Sequence, residues 1–179
     1  VSETVVLDRL ADLTDADREE LRGLSQAVYP PREATDWPGR RIEWAAADWG
    51  VRIYDDLGVL VSYVGINLRD ARLDGRPVKV GGIGGVKTHP SARRRGLAER
   101  GMQRADQFFH EQAAAFALLV CDARLLDYYG RLGWREFTGR LMVLQHGAPA
   151  EFTFNRVMTR GVRSPAPETG TVDLLGPPW

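Results

Sequence analysis

The segment "VKVGGIGGVKTHPSARRRGLAERGMQRADQFF", residues 78–109, restricts the fold more than any other part of the chain. It begins as a strand, reaches Pro90, places Arg93, Arg94 and Arg95 directly before Gly96, and continues as an amphipathic run. Leu97, Met102, Ala105, Phe108 and Phe109 supply one apolar side of that run at helical spacing. The segment therefore reads as strand, tight loop, helix. Gly81, Gly82, Gly84 and Gly85 weaken the strand. They call for a bulge, or for close approach of another backbone or of a ligand.

The flanking sequence extends this unit into a sheet. "TVVLDRL" (4–10) predicts a first strand, and "LTDADREELRGLSQAVYP" a helix capped by Thr14 with Asp17 as acidic partner. Residues 31–40 read as a loop and 41–49 as a short helix. Three antiparallel strands follow at 51–55, 59–70 and 77–88, with turns at Asp55–Gly58 and Asp74-Gly75. After the helix, "FALLVCD" (116–122) is apolar enough for a strand covered on both faces. A short helix then ends near Gly133, and "WREFTGRLMVLQH" alternates as a further strand. This order predicts an α+β single domain over 1–179 with one mixed, mostly antiparallel sheet flanked by helices. Residues 147–179 read as an irregular C-terminal extension with short strands at 152–158 and 171–175.

Lys+Arg and Asp+Glu number 24 each in 179 residues, so no bulk basic field exists and nucleic acid is not an expected partner. No apolar run is long enough for a membrane helix. The single cysteine, Cys121, allows no internal disulfide, and the expected setting is the cytoplasm. With three His and one Cys, and no close His/Cys spacing, no metal site is expected.

Three adjacent arginines in a neutral chain need a local reason. A helix start carries unpaired N–H groups and partial positive charge, which stabilise an anion and disfavour arginine. Gly96 and Ala98 are small enough to let a ligand reach the main chain. A pyrophosphate would reconcile the crowded charges, whereas a solvated basic turn is the plain alternative.

At these residues the chain resembles the GCN5-related N-acetyltransferase (GNAT) superfamily, whose acetyl-CoA signature is Gln/Arg-x-x-Gly-x-Gly/Ala after a strand and a Pro. Arg93, Gly96 and Ala98 match it, and Arg95 fills a position that is often basic. "YYGRLGW" (128–134) is similar to the family's Tyr-x-x-x-Gly-Phe segment through Tyr129 and Gly133, with Trp134 for Phe. The resemblance covers residues 51–146. It implies a GNAT-like fold, acetyl-CoA as cofactor and acyl transfer to an amine. It places the cofactor diphosphate on Arg93, Arg94, Arg95, Gly96, Leu97 and Ala98, and pantetheine along the strand that ends in Val86 and Lys87. Tyr129 would protonate the leaving thiolate, while Tyr128 is the expected core residue.

The general base is not written in the same way. Many members of the family place a Glu on the glycine strand, where this chain has Gly84 and Gly85. Asp122 is a candidate base or a helix N-cap. Glu33, Asp36, Glu43 and Asp48 could face the acceptor or form a surface charge face. His89 serves the turn at the loop start, and Cys121 is expected to be a buried, inert thiol. "TDW" (35–37), "YGRLGW" and Trp179 resemble aminoglycoside 2'-N-acetyltransferases, and the N-terminal half resembles nodulation N-acyltransferases. Both resemblances point to an amino sugar met by Glu33, Asp36, Trp37, Gly84, Gly85 and Trp179. The expected partner is a small-molecule amine, and a homodimer is left open. Three classes remain: an acetyl-CoA-dependent N-acetyltransferase, an acyltransferase for a longer acyl donor, and a CoA-binding protein without turnover.

Overall fold

A computed structural model of the chain describes residues 3–29 and 37–179. Strand β1 (Thr4–Arg9) pairs antiparallel with β2 (Trp49–Tyr54). Helix α1 (Asp15–Val28) lies between them in sequence. Its start is the capping box expected from the sequence: Asp17 N donates to Thr14 Oγ1 at 3.2 Å, and Thr14 N to Asp17 Oδ2 at 2.9 Å. Arg52 of β2, 7% exposed, pairs with both Asp8 and Asp17, so the helix start is tied to the sheet.

Strand β3 (Leu60–Leu73) is the longest in the sheet and its spine. Asp74 and Gly75, with φ of 49° and 79°, form the two-residue turn into β4 (Arg76–Thr88). Helix α2 (Leu97–Glu111) follows, then β5 (Phe116–Cys121), which runs parallel to β4. After a 3₁₀ turn at Ala123–Leu125 come α3 (Leu126–Arg131), β6 (Arg135–Glu136), β7 (Arg140–Gln145), β8 (Ala148–Glu151), β9 (Arg156–Gly161) and β10 (Thr171–Asp173). One path through the sheet reads β1-β2-β3-β4-β5-β9-β6. A second leaves β3 at its far end and reads β10-β7-β8. The fold is α+β with a mixed sheet, as the order of elements predicts.

Helix α2 packs on one face of the sheet, where Phe108 and Phe109 meet Val51, Val64, Ile66 and Ile83. Burying a ring such as Phe109 contributes about 1.5–3 kcal/mol. Close approach needs glycine: a Cβ at Gly81 would lie 2.5 Å from Phe109, and one at Gly101 2.7 Å from Val64. A second core joins Phe116, Leu118, Leu141, Val143, Leu174 and Trp179. Helix α1 covers a third cluster around Leu24, Leu60 and Tyr63. No described helix is long and apolar enough to cross a membrane.

Three expectations are corrected. Residues 41–49 do not form a helix; only a 3₁₀ turn at Pro38–Arg41 is present. Distant partners hold the rest extended, with Ala45 N donating to Pro178 O at 2.7 Å and Asn67 Nδ2 to Ala46 O at 2.7 Å. The strand expected over 134–146 is two strands in opposite arms of the sheet. The chain turns between them at Gly139, where a Cβ would lie 2.1 Å from Gly170 O. Residues 147–179 are not an irregular extension. They supply β8, β9 and β10, and β9 sits inside the sheet between β5 and β6. β8 is a short hairpin partner of β7, while β9 and β10 take their pairing from distant sequence, which local periodicity does not reveal.

Candidate functional site

Strands β4 and β5 pair only from Val80↔Phe116 to Ile83↔Leu119, then part. Strand β4 bulges where they separate. Its pairing with β3 slips between Tyr63↔Lys87 and Gly65↔Gly84, and Gly85 takes φ +59°. Past the bulge, the β5-facing backbone of β4 has no strand partner among the described residues. The opening is a cavity of ≈860 Å³ between Gly84–Lys87 on one side and Leu119–Asp122 on the other.

The glycines of β4 have specific reasons. Gly81 admits Phe109 on one face, and Gly82 admits the Trp179 ring on the other, 2.2 Å from where a Cβ would stand. At Gly84 a Cβ would meet the Trp179 main chain at 3.2 Å, and Gly85 is the bulge. Packing and backbone conformation thus account for all four.

The arginine loop closes one end of the opening. His89 caps the turn with its ring, accepting from Ser91 N at 3.3 Å. Arg94 and Gly96 are left-handed, at φ 62° and 72°. The first intrahelical bond of α2 is Arg100 N to Gly96 O at 3.0 Å, so the amides of Leu97, Ala98 and Glu99 have no acceptor within the helix. Arg93, Arg94 and Arg95 are all exposed. Arg93 Nε reaches Thr88 O at 3.4 Å. Arg95 donates to Glu3 Oε1 at 3.0 Å, and Arg100 also pairs with Glu3. Arg100, with Arg95, holds the Glu3 carboxyl below the usual range. The side chains of Leu97 and Val86 pack into the α2 core, so these two offer a ligand only their backbone. Amides, helix dipole and guanidinium groups together suit a polyanion such as a diphosphate.

Tyr129 lines the cavity and is 7% exposed, edge-on to Tyr128 and Trp134. Tyr128, the expected core residue, is only partly buried; it packs against the α2 core and does not line the cavity. Burial raises the Tyr129 phenol well above its ordinary value and keeps it protonated. Asp122 stands at the cavity edge as the N-cap of the 3₁₀ turn, accepting from Arg124 N at 2.9 Å and Arg124 Nε at 3.0 Å. Arg124 lowers its proton affinity, which suits a cap and not a base. Burial pushes the Cys121 thiol up to about 11, leaving little thiolate.

The opposite wall is assembled from distant segments. The Trp179 ring is 6% exposed, donates from Nε1 to Leu118 O at 3.0 Å and lies 4.9 Å from the Arg69 guanidinium. Trp37 stacks on Trp44 with centroids 5.8 Å apart, and Phe154 meets Trp37 edge-on at 6.0 Å. Trp37 and Trp44 both line the cavity. Glu43 does not face it freely: its carboxylate accepts from His146 N at 2.6 Å, and its main chain is bonded twice to Gln145. Asp48 joins the sheet through its backbone. Glu33 and Asp36 lie outside the described residues. Tyr63, Asn67 and Asn155 also line the cavity, and the sequence reading missed them. Asn67 Oδ1 is buried without a partner among the described residues. The period-two run Tyr63, Gly65, Asn67 within an apolar strand was a signal that could have found two of them. Among the described residues no group of three or more His, Cys, Asp or Glu is placed to hold a metal.

A family model described as Acetyltransferase (GNAT) domain matches residues 9–137. No curated protein matches the sequence. Among solved structures, an acyl-CoA N-acyltransferase from Pseudomonas aeruginosa aligns with a TM-score of 0.62 at 22% identity, covering 89% of this chain and 100% of the other. The GNAT family N-acetyltransferase YhbS from Escherichia coli, in complex with CoA, aligns at 0.62 with 15% identity, covering 98% and 92%. A GNAT family acetyltransferase from Brucella melitensis, in complex with acetyl-CoA, aligns at 0.57 with 15% identity, covering 94% and 94%. These likenesses are likenesses of fold.

Proposed function

The chain belongs to the GNAT acetyltransferase family, whose cosubstrate is acetyl-CoA, and from that premise we propose that it acetylates a primary amine of a small molecule, an amino sugar in particular, in the cytoplasm. One observation carries the reading: β4 and β5 part directly beside a loop of free amides and exposed arginines. Acetyl-CoA supplies an activated acetyl group as a thioester. Arg93, Arg94 and Arg95 bind its diphosphate together with the amides of Gly96, Leu97 and Ala98. The backbone of Val86 and Lys87 receives the pantetheine arm as an added strand. The bulge at Gly85 turns the β4 edge toward that arm.

The acceptor enters beside Gly84, between Trp179 and the Trp37–Trp44 stack. Its nitrogen bonds to the thioester carbonyl carbon, the carbon–sulfur bond breaks, and the sulfur leaves with the bond's electron pair. Tyr129 donates its phenolic proton to that sulfur. The same burial that raises the phenol also raises the basicity of a thiolate beside it, so the transfer is not badly mismatched. No described side chain in the cavity is a free carboxylate, since Asp122 is engaged by Arg124. The amine therefore loses its proton to water. Glu33 and Asp36 belong to this reading as groups that draw the ammonium form inward, with Trp37 and Trp179 as walls.

Thiol release from acetyl-CoA, measured over amino sugars, aminoglycosides, polyamines and amino acids, tests the reading. Acceptor-dependent release is expected for at least one amino sugar. Saturable CoA binding with no release for any amine would leave a binding protein instead. Faster release from longer acyl donors would move the reading to the wider acyltransferase class.

A further inference from the structure

We infer that the acceptor is an amine that also carries an anionic group, with the Lys87 ammonium as the anchor for that group. The inference deepens the proposed function and rests on it. Tyr63 and Lys87 are paired across β3 and β4, as are Gly65 and Gly84, and Asn67 and Gly82. These positions share one face, the face on which Trp179 covers Gly82. Val86, beside Lys87, packs with the α2 core on the other face. The bulge therefore sends the Lys87 side chain toward α1 and away from the helix whose N-terminus suits a diphosphate. Only the Lys87 main chain is then left to the cofactor edge.

The described neighbours of Lys87 are neutral. Its Nζ donates to Ser25 Oγ at 2.9 Å and lies 5.3 Å from the Tyr63 ring centroid. Ser25 Oγ itself donates to Leu21 O at 2.9 Å. Among the described residues no carboxylate pairs with Lys87. Asp17 and Glu20 of α1 are bound to Arg52 and Tyr54, and Asp122 across the cavity is bound to Arg124. Burial lowers the proton affinity of Lys87. A half-buried cation without a counterion is costly, and an incoming anion relieves that cost. Lys87 also lines the cavity, so an anion can reach it.

The spacing suits one small molecule. Across the bulge, Gly84 and Lys87 pair with Gly65 and Tyr63, two residues apart on β3, a span of roughly 7 Å along a strand. The flexible lysine side chain can shorten that span to the width of a sugar ring. Close to Lys87 the neutral, attacking form of the amine is favoured over the ammonium form. A polycation carries no anion for Lys87 to bind.

The test compares kcat/KM for glucosamine 6-phosphate, muramic acid, glucosamine and kanamycin in the wild type, Lys87→Met and Lys87→Gln. The phosphate and the carboxylate acceptor should each exceed glucosamine by roughly tenfold or more, the scale of one charge-assisted hydrogen bond. In either variant the anionic-to-neutral ratio should fall to about one, whatever happens to the absolute rates. Lys87→Gln keeps a donor for Ser25 and serves if Lys87→Met does not fold. A wild-type ratio near one, a preference for kanamycin, or a ratio unchanged in the variants overturns the inference. A cofactor role for Lys87 would lower both acceptors equally and leave the ratio intact. If no acceptor releases thiol, the acetyltransferase reading fails separately. Titration of the cavity tryptophan fluorescence with glucosamine 6-phosphate then decides the anion site. Saturable binding lost in the variants supports it; no binding, or equal binding, rejects it.

Discussion

The two walls of the cavity are built on different plans. The cofactor-side wall is one continuous stretch, from the Gly85 bulge through the arginine loop to the first turn of α2, and it works through amides and backbone conformation. The acceptor-side wall is a collection. It joins Trp37 and Trp44 to Phe154, Ala45 to Pro178, and Trp179 to Leu118 and Gly82. Every one of its members is a side chain or segment held by a distant neighbour. A wall made of backbone tolerates sequence change and fits one invariant ligand. A wall made of remote side chains can be rebuilt piece by piece for a new acceptor.

Breaking the assembled wall should have the largest effect. Gly82→Val would drive two methyl groups into the space of the Trp179 ring, already 2.2 Å from the absent Cβ. We expect a loss of about 3 kcal/mol, the upper end for overpacking, read as a lower urea midpoint with unchanged slope. Unaltered stability would mean that Trp179 leaves its seat easily and that the two walls are not so different. Next comes Tyr129→Phe, which keeps the ring against Trp134 but removes the proton. kcat should fall roughly tenfold to a hundredfold with KM for acetyl-CoA little changed. Full kcat would make Tyr129 a packing residue.

A smaller effect is expected at the local wall. Arg93→Ala with Arg95→Ala should weaken CoA binding by about tenfold, measured by calorimetry, because the amides of α2 remain. Unchanged affinity would place the diphosphate elsewhere. The smallest effect concerns Tyr63, which joins the two walls beneath α1. Burial pushes its phenol up to about 12. The unfolded chain ionises near 10, so between about pH 10 and 12 the unfolded state has lost a proton that the folded state keeps. Stability is therefore intact below that window and declines through it. Tyr63→Phe should remove about 1 kcal/mol of that decline near pH 11. Parallel alkaline melts of wild type and variant would show that Tyr63 is not the group responsible.

The contrast also explains what the sequence made legible. The capping box at Thr14, the Asp74-Gly75 turn, the strand–arginine–helix unit and the Tyr129 segment are each complete within a few residues. Local chemistry specifies them, and they could be read directly. Residues 41–49 have helical composition, yet Pro178 and Asn67 take the hydrogen bonds that a helix would use. Gly139 splits one alternating run between two arms of the sheet because of a contact with Gly170. The glycines of β4 read correctly as a bulge and close approach, but the approaching groups, Phe109 and Trp179, could not be read from that strand. From sequence alone Asp122 reads as base or cap; the bonds from the Arg124 amide and guanidinium exist only once the 3₁₀ turn has formed.

The shared edge of β3 has a temporal meaning. β2 covers its first half, and β10 pairs through Val172↔Leu73 and Asp173↔Arg72. The early partner emerges before β3 does, whereas the late one follows by roughly a hundred residues, or about 5–20 s at ordinary rates of synthesis. During that interval the far end of β3 presents unpaired N–H and C=O groups on that edge, a template for any passing strand. The nascent chain is thus most vulnerable to mispairing where its acceptor wall will later close, since Trp179 follows the end of β3 at Leu73 as distantly as β10 does.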